Sequence, residues 1–168
     1  NVRGNIKSPH KFILILSILE IMDEDVVHPN QFKFEEIEPV FQKLFDDFYP
    51  SLPKSKKALE FPFVHLQHER FWLLKVKDRD YDENYVYPRL TKNRILKLID
   101  YAYLDDEHFN LIKSPHKRTE LKNKVVAWLI QNGAEHFAYD ELAIGGRAMK
   151  ESTSLFLHEQ EAMDKINY

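Results

Sequence analysis

Histidine and lysine side chains stand at the start of two stretches that read as helices, in the same five-residue order. The sequence KSPHK occurs at residues 7–11 and again at residues 113–117. Serine is a favoured N-cap and proline a favoured first helical residue, so each copy predicts a helix start. Cations on a first turn oppose the helix dipole, and a bound anion would offset that cost. The pattern indicates phosphate contacts; a common helix start with solvated side chains is the open alternative.

The sequences that follow the two copies differ: FILILSILEIM follows the first and RTELKNKVVAW follows the second. A duplicated module is therefore not indicated. The net charge of −3 does not favour nucleic acid, but basic residues are grouped apart from the acidic ones. Such grouping can make one basic face, although charge runs are more often plain solvated surface. The predicted phosphate contacts are Arg3, Lys7, His10, Lys11, Arg89, Lys92, Arg94 and Lys117.

Two aromatic and β-branched runs, FPFVHLQ at 61–67 and FWLLKV at 71–76, flank the polar residues HER. This pattern predicts a β-hairpin with an edge strand at Pro62. Glutamine and arginine side chains can read base edges. The predicted base-reading residues are His65, Gln67, His68 and Arg70; a merely polar hairpin tip is the alternative.

Motifs for catalysis are missing from the sequence. It has no cysteine, no HExxH, no P-loop, no GxGxxG and no GxSxG. We therefore expect neither metal nor cofactor, and no enzyme activity from this chain alone. The lack of cysteine favours an intracellular protein, and no segment is long and apolar enough to span a bilayer.

The remaining pattern predicts an α+β fold, a helix-rich single domain with a small antiparallel hairpin. Helices are expected at about 9–25, 34–48, 92–104, 106–111, 115–132 and 140–144, with a short extended segment at 85–88. The domain is expected to span 1–144. Residues 145–168 are expected to form a C-terminal helix or a linker toward a further domain.

The order of these motifs resembles the sulfur-binding domain of type IV, phosphorothioation-dependent restriction endonucleases of the HNH class. The resemblance covers about residues 7 to 130 and rests on SPHKFILILSILEIM, FPFVHLQHERFWLL, LIDYAYLDDEHFNLI and KSPHKRTELKNKVVAWLI. The family pattern has a P-H-K helix, a YPF hairpin and a later helix begun by P-x-x-R. This chain departs from it with FPF for YPF and with no glycine in HERFW.

The resemblance implies a bacterial, cytoplasmic DNA reader that binds double-stranded DNA carrying sulfur in place of one non-bridging phosphate oxygen. A C-terminal nuclease domain would cut the DNA. The family holds the sulfur in a shallow apolar cavity of aromatic, proline and basic side chains. The candidates here are Pro115, His116, Arg118, Tyr87, Pro88, Phe61 and Pro62. Of the two KSPHK copies, the second is expected to touch the modified link, because Arg118 completes P-x-x-R.

Two other classes of function stay open at this point. The same basic face would suit a domain that reads another DNA modification or plain sequence. The many aromatic residues would also suit a helical protein-interaction module.

Overall fold

The computed structural model describes residues 8–77 and 91–135. These ranges hold six α-helices and one two-stranded antiparallel sheet, which confirms the predicted helix-rich α+β class. The helices are α1 (His10–Glu24), α2 (Phe34–Phe48), α3 (Glu60–His65), α4 (Lys92–Leu98), α5 (Asp106–Lys113) and α6 (Pro115–Gln131), and the strands are β1 (Trp72–Val76) and β2 (Ile99–Leu104).

Helix α1 is the centre of the core. Its residues 11–19 are all buried, and it packs against α2, α3, α5 and α6. A helix that is apolar on nearly every side has to be surrounded in this way. Ser17, the polar residue within this run, donates its hydroxyl to the carbonyl of Ile13 at 2.7 Å. As a result, α1 reaches the surface only near its two ends.

Helix α2 has the predicted bounds. Its buried side chains recur at helical spacing along one face: Phe34, Ile37, Phe41, Leu44, Phe45 and Phe48. Glu35 and Glu36 lie in its first turn, where carboxylates favour the positive end of the dipole. The amphipathic pattern alone is therefore enough to place this helix.

The predicted β-hairpin at 61–76 is wrong in its first half. Residues 60–65 form α3, which continues as a 3-10 turn over Leu66–His68. Leu59, Phe63 and Leu66 are all buried at helical spacing, whereas Phe61 points outward and is 54% exposed. This burial has the period of a helix and not the alternation of a strand. Trp72 follows the turn, and its Nε1 donates to the carbonyl of Phe63 at 2.8 Å.

Strand β1 pairs with β2. The predicted helix at 92–104 is therefore wrong in its second half. Helix α4 instead ends at Leu98, and β2 pairs with β1 from Trp72↔Leu104 to Val76↔Ile99, with an irregularity between Lys75 and Val76. Phe32 adds a bridge on the other side of β2, because it exchanges backbone hydrogen bonds with Ala102 at 2.7 and 2.8 Å. Pairing on both sides satisfies the backbone N–H and C=O groups around Ala102 within the sheet.

Helix α6 runs antiparallel to α1. Near one end of the pair Phe12 stacks on Trp128 at 4.1 Å, and near the other end Arg118 bonds to Asp23. Residues 8–11 of the first KSPHK copy therefore lie at the N-terminal end of α1, and the second copy lies beside its C-terminal end. A helix of 15 residues is about 22 Å long, so the two copies are well apart.

The predicted extended segment at 85–88, the helix at 140–144 and the tail at 145–168 lie outside the described residues. Within the described ranges, every helix falls short of the length and apolar character that a membrane crossing requires.

Candidate functional site

An open groove of about 460 Å³ lies at the N-terminal end of α1. Ser8 and His10 form one side, and on α3 the exposed ring of Phe61 and the edge of the largely buried ring of Pro62 line the groove. The groove thus joins a residue of the first KSPHK copy to the FPF motif, about fifty residues away in the sequence. The groove is completed by Ser55, Lys56 and Ala58.

His10 is held in the groove by hydrogen bonds from both ring nitrogens. Its Nε2 lies 2.8 Å from the backbone carbonyl of Lys56, and its Nδ1 lies 2.7 Å from the hydroxyl of Ser8. A carbonyl only accepts, so Nε2 donates; in the neutral ring Nδ1 accepts the Ser8 proton. Burial lowers the pKa of His10, and the bond to the Lys56 carbonyl partly opposes this. The site therefore favours a neutral, oriented imidazole.

Ser8 does not cap α1, contrary to the prediction from KSPHK. No side chain caps this helix, its N-cap is Pro9, and the Ser8 hydroxyl bonds to His10 instead. In the second copy, by contrast, the Ser114 hydroxyl accepts from the backbone N–H of Lys117 at 3.3 Å, which is the predicted cap. Identical five-residue sequences thus use their serine differently.

Aromatic rings continue from the groove along α3. Phe61 stacks on His65 with ring centroids 3.8 Å apart and planes at 25°, and His65 lies 5.6 Å from His68. Burial, and secondarily the neighbouring His68, lower the pKa of His65. The Phe61 ring packs against His65 and is otherwise largely exposed, so it offers an apolar contact surface beside the groove.

A basic loop borders the groove. Lys54–Lys56 form a 3-10 turn, and the side chains of Lys54 and Lys56 are exposed. Lys57 is buried, and its Nζ donates to the carboxylate of Asp46 at 2.7 Å. The loop therefore has its first two lysines at the surface while the third anchors it to α2.

Lys11, predicted to contact phosphate, lies inside the protein. Both Lys11 and Glu69 are 2% exposed, and Nζ and Oε2 are 3.4 Å apart. The ammonium also lies 5.5 Å from the ring centre of Phe12. This ion pair fixes the start of α1 to the turn that follows α3, and so sets the two sides of the groove relative to each other.

Arg118, predicted for the sulfur pocket, is also 2% exposed. Its Nε donates to Asp23 at 2.7 Å, and its Nη1 donates to the carbonyls of Ile112 and Lys113 at 2.8 and 3.2 Å. Lys122 joins the same carboxylate at 2.7 Å. The guanidinium therefore has a structural role: it connects the C-terminal end of α5 to the C-terminal end of α1.

The predicted contact residues within the second KSPHK copy are at the surface. Pro115, His116 and Lys117 are exposed on the first turn of α6, and His116 Nε2 lies 2.9 Å from the Glu120 carboxylate. They are separated from the groove by the length of α1.

The remaining predicted residues are dispersed. Lys92 bonds to Glu38 of α2 at 2.7 Å, and this contact raises the pKa of Lys92. Arg94 and Arg70 are exposed, and Gln67 is half-buried. Five candidates lie outside the described residues: Arg3, Lys7, Tyr87, Pro88 and Arg89.

The sequence predicts His10, Phe61 and Pro62 as site residues but not their proximity, and it does not predict Ser55, Lys56 and Ala58 as site residues. The basic run at 54–57 was the available signal for this loop. Across 8–77 and 91–135, no group of three or more His, Cys, Asp or Glu side chains is placed to hold a metal ion. No protein-family model matches the chain, and no curated protein matches it closely enough to indicate a relative.

Proposed function

We propose that this chain binds double-stranded DNA at the groove of His10, Phe61 and Pro62, and that it prefers DNA with a phosphorothioate link. The observation that carries this proposal is the groove itself. It brings together the P-H-K helix and the FPF motif, two of the four stretches on which the resemblance to sulfur-binding domains rests, and it does so beside exposed lysines.

The chemistry of the groove suits a sulfur atom on a charged backbone. Sulfur is larger and less strongly hydrated than oxygen, so contact with the rings of Phe61 and Pro62 costs it less desolvation. A normal phosphate oxygen would lose its water there without an equal number of hydrogen bonds. Discrimination of about 1–3 kcal/mol against unmodified DNA is the expected scale.

General affinity for the backbone would come from charge. Lys54 and Lys56 border the groove, and the uncapped N-terminus of α1 points its dipole to the same end of the molecule. Contacts of this kind release counterions and fall steeply with salt. In this proposal the first KSPHK copy is the one at the modified link, and cleavage belongs to a nuclease domain.

The test is a fluorescence anisotropy titration with two duplexes of the same sequence, one of which carries a single phosphorothioate link in defined stereochemistry. The bases around the link are varied across a pool of duplexes, so that the result does not depend on one sequence context. Tighter binding of the modified duplex supports the proposal. Equal affinities would refute the sulfur preference, and competition with methylated or hydroxymethylated duplex would then identify another modification. Absence of DNA binding at low salt would refute the whole proposal.

A further inference from the structure

A second open groove, of about 580 Å³, lies at the opposite end of α1. Its apolar floor consists of Ile21 from α1 together with Val40 and Leu44 from α2. The floor lies between two packed helices, so it has the form of the furrow into which a third helix can lay a ridge of side chains. We call this the acidic groove, after the residues that surround its floor.

The rim of the acidic groove carries four carboxylates, Glu20, Glu24, Asp25 and Glu36, together with one lysine and His28, whose Nε2 lies 2.5 Å from the Glu36 carboxylate. Glu20 lies 3.2 Å from Lys122, and the one lysine, Lys43, is engaged by Asp47 at 3.1 Å. Asp25 accepts a hydrogen bond from the backbone N–H of Val27.

The charge on the rim opposes the helix to which it belongs. The C-terminal end of α1 is the negative end of its dipole, and its last turn contains no basic residue. Glu24 and Asp25 add exposed negative charge there. Arg118 and Lys122 pair with Asp23 and Glu20 at this end and offset part of the repulsion. A cationic ligand at Glu24 and Asp25 would remove more of it, so the rim has electrostatic complementarity to a positively charged partner.

Apolar surface extends beyond the groove. Val26 and Val27, which follow Asp25 directly, are 67% and 83% exposed. Exposed apolar surface next to a groove is typical of an interaction site. The two valines thus add apolar surface where the chain leaves the rim of the acidic groove at Asp25.

We propose that the acidic groove docks a cationic amphipathic helix of a partner protein. The apolar positions of that helix, at i, i+3, i+4 and i+7, fill the floor over Ile21, Val40 and Leu44, while its lysine or arginine residues face Glu24 and Asp25. DNA is repelled from this surface by like charge. The inference does not depend on DNA binding, since it concerns the other end of α1.

The test uses the full chain and a labelled model peptide in which leucines occupy one helical face and lysines the other. A scrambled peptide of the same composition has the charge but lacks the face. The first variant, Glu24→Lys with Asp25→Lys, reverses the rim. Its matched control, Asp106→Lys with Glu107→Lys, makes the same charge change at exposed sites on α5.

We expect the rim variant to bind the amphipathic peptide at least about tenfold more weakly than the wild type, and the α5 control to stay within about twofold. Val26→Ser with Val27→Ser should weaken binding without any change of charge. The inference is overturned if the amphipathic peptide does not bind at low salt, if the scrambled peptide binds equally well, or if both charge variants lose the same affinity. Retained DNA binding by the rim variant separates this result from the proposed function.

Discussion

The Nε2 atom of His10 donates a hydrogen bond to the backbone carbonyl of Lys56, 46 residues further along the chain, at a distance of 2.8 Å. This bond connects the start of the central helix to the basic loop. The orientation of the imidazole depends on this contact and on the hydrogen bond between Nδ1 and the Ser8 hydroxyl. Both contacts are compatible with a neutral ring.

The pH dependence of stability should report this ring. Burial lowers the pKa of His10 in the folded state below its ordinary 6.5, so the unfolded state binds more protons just below that pH. The free energy of unfolding should therefore fall as the pH drops below about 6.5, and His10→Gln should make this fall shallower. Urea unfolding at several pH values measures it. His65→Gln should act in the same direction, since its pKa is also lowered; an unchanged slope in both variants would contradict the assignment.

Phe61 should supply affinity and little stability. Its ring is 54% exposed, so Phe61→Ala removes contact surface from the groove without opening a core cavity. We expect about tenfold weaker binding of phosphorothioate duplex and a stability change below about 1 kcal/mol. Val27→Ala is the control, since it truncates an exposed apolar side chain at the other end of α1 and should leave DNA affinity intact. Equal effects of the two changes would disprove a specific role for Phe61.

Lys56 should contribute through counterion release. The plot of log affinity against log salt should become less steep by about one unit for each phosphate contact removed. Lys56→Gln is expected to show this change for modified and unmodified duplex alike. Lys43→Gln removes the same charge beside the acidic groove and should have no such effect. An unchanged slope in Lys56→Gln would place the phosphate contacts elsewhere.

Arg118 should matter for folding. Replacement by methionine leaves two carbonyls and part of a carboxylate without their donor, at a cost of about 2–4 kcal/mol. Arg118→Lys keeps the charge but cannot reproduce the forked donors, so it should recover only part of this loss. Chemical denaturation measures both. Normal stability together with lost DNA binding would instead support the second KSPHK copy as the binding site.

Lys11 and Glu69 should show strong coupling. Lys11→Met or Glu69→Gln alone leaves one buried charge without its counter-ion, which costs about 3–5 kcal/mol, whereas the double variant should cost less than the sum. A double-mutant cycle of unfolding free energies gives the coupling directly. Simple additivity would mean that the two side chains are stabilised independently.

Several elements follow from the sequence alone because local and tertiary preferences agree in them. Helix α2 has apolar residues at helical spacing and acidic residues in its first turn, and α6 has a serine cap followed by proline. Helix α1 was also predicted near its true bounds, although its serine plays another part. In such elements the periodicity and the end signals point to one answer.

Two elements could not be predicted because tertiary contacts decided between competing preferences. The run at 61–67 is rich in strand-forming residues, yet burial of Leu59, Phe63 and Leu66 on one side makes it helical. Residues 99–104 continue a helical pattern, yet β1 and Phe32 pair with them. The groove could not be predicted for the same reason, since it depends on the approach of two distant segments, 8–10 and 55–62.

The buried helix α1 contributes residues to both grooves, one at each of its ends. His10 contributes to one groove and Glu24 to the other, and the side chains at 11–19 between them are enclosed by the core. A shift of this helix along its own axis would therefore move both residues together. Close packing resists such a shift. The enclosed side chains at 11–19 thus hold the α1 residues of both grooves in a fixed relation to each other.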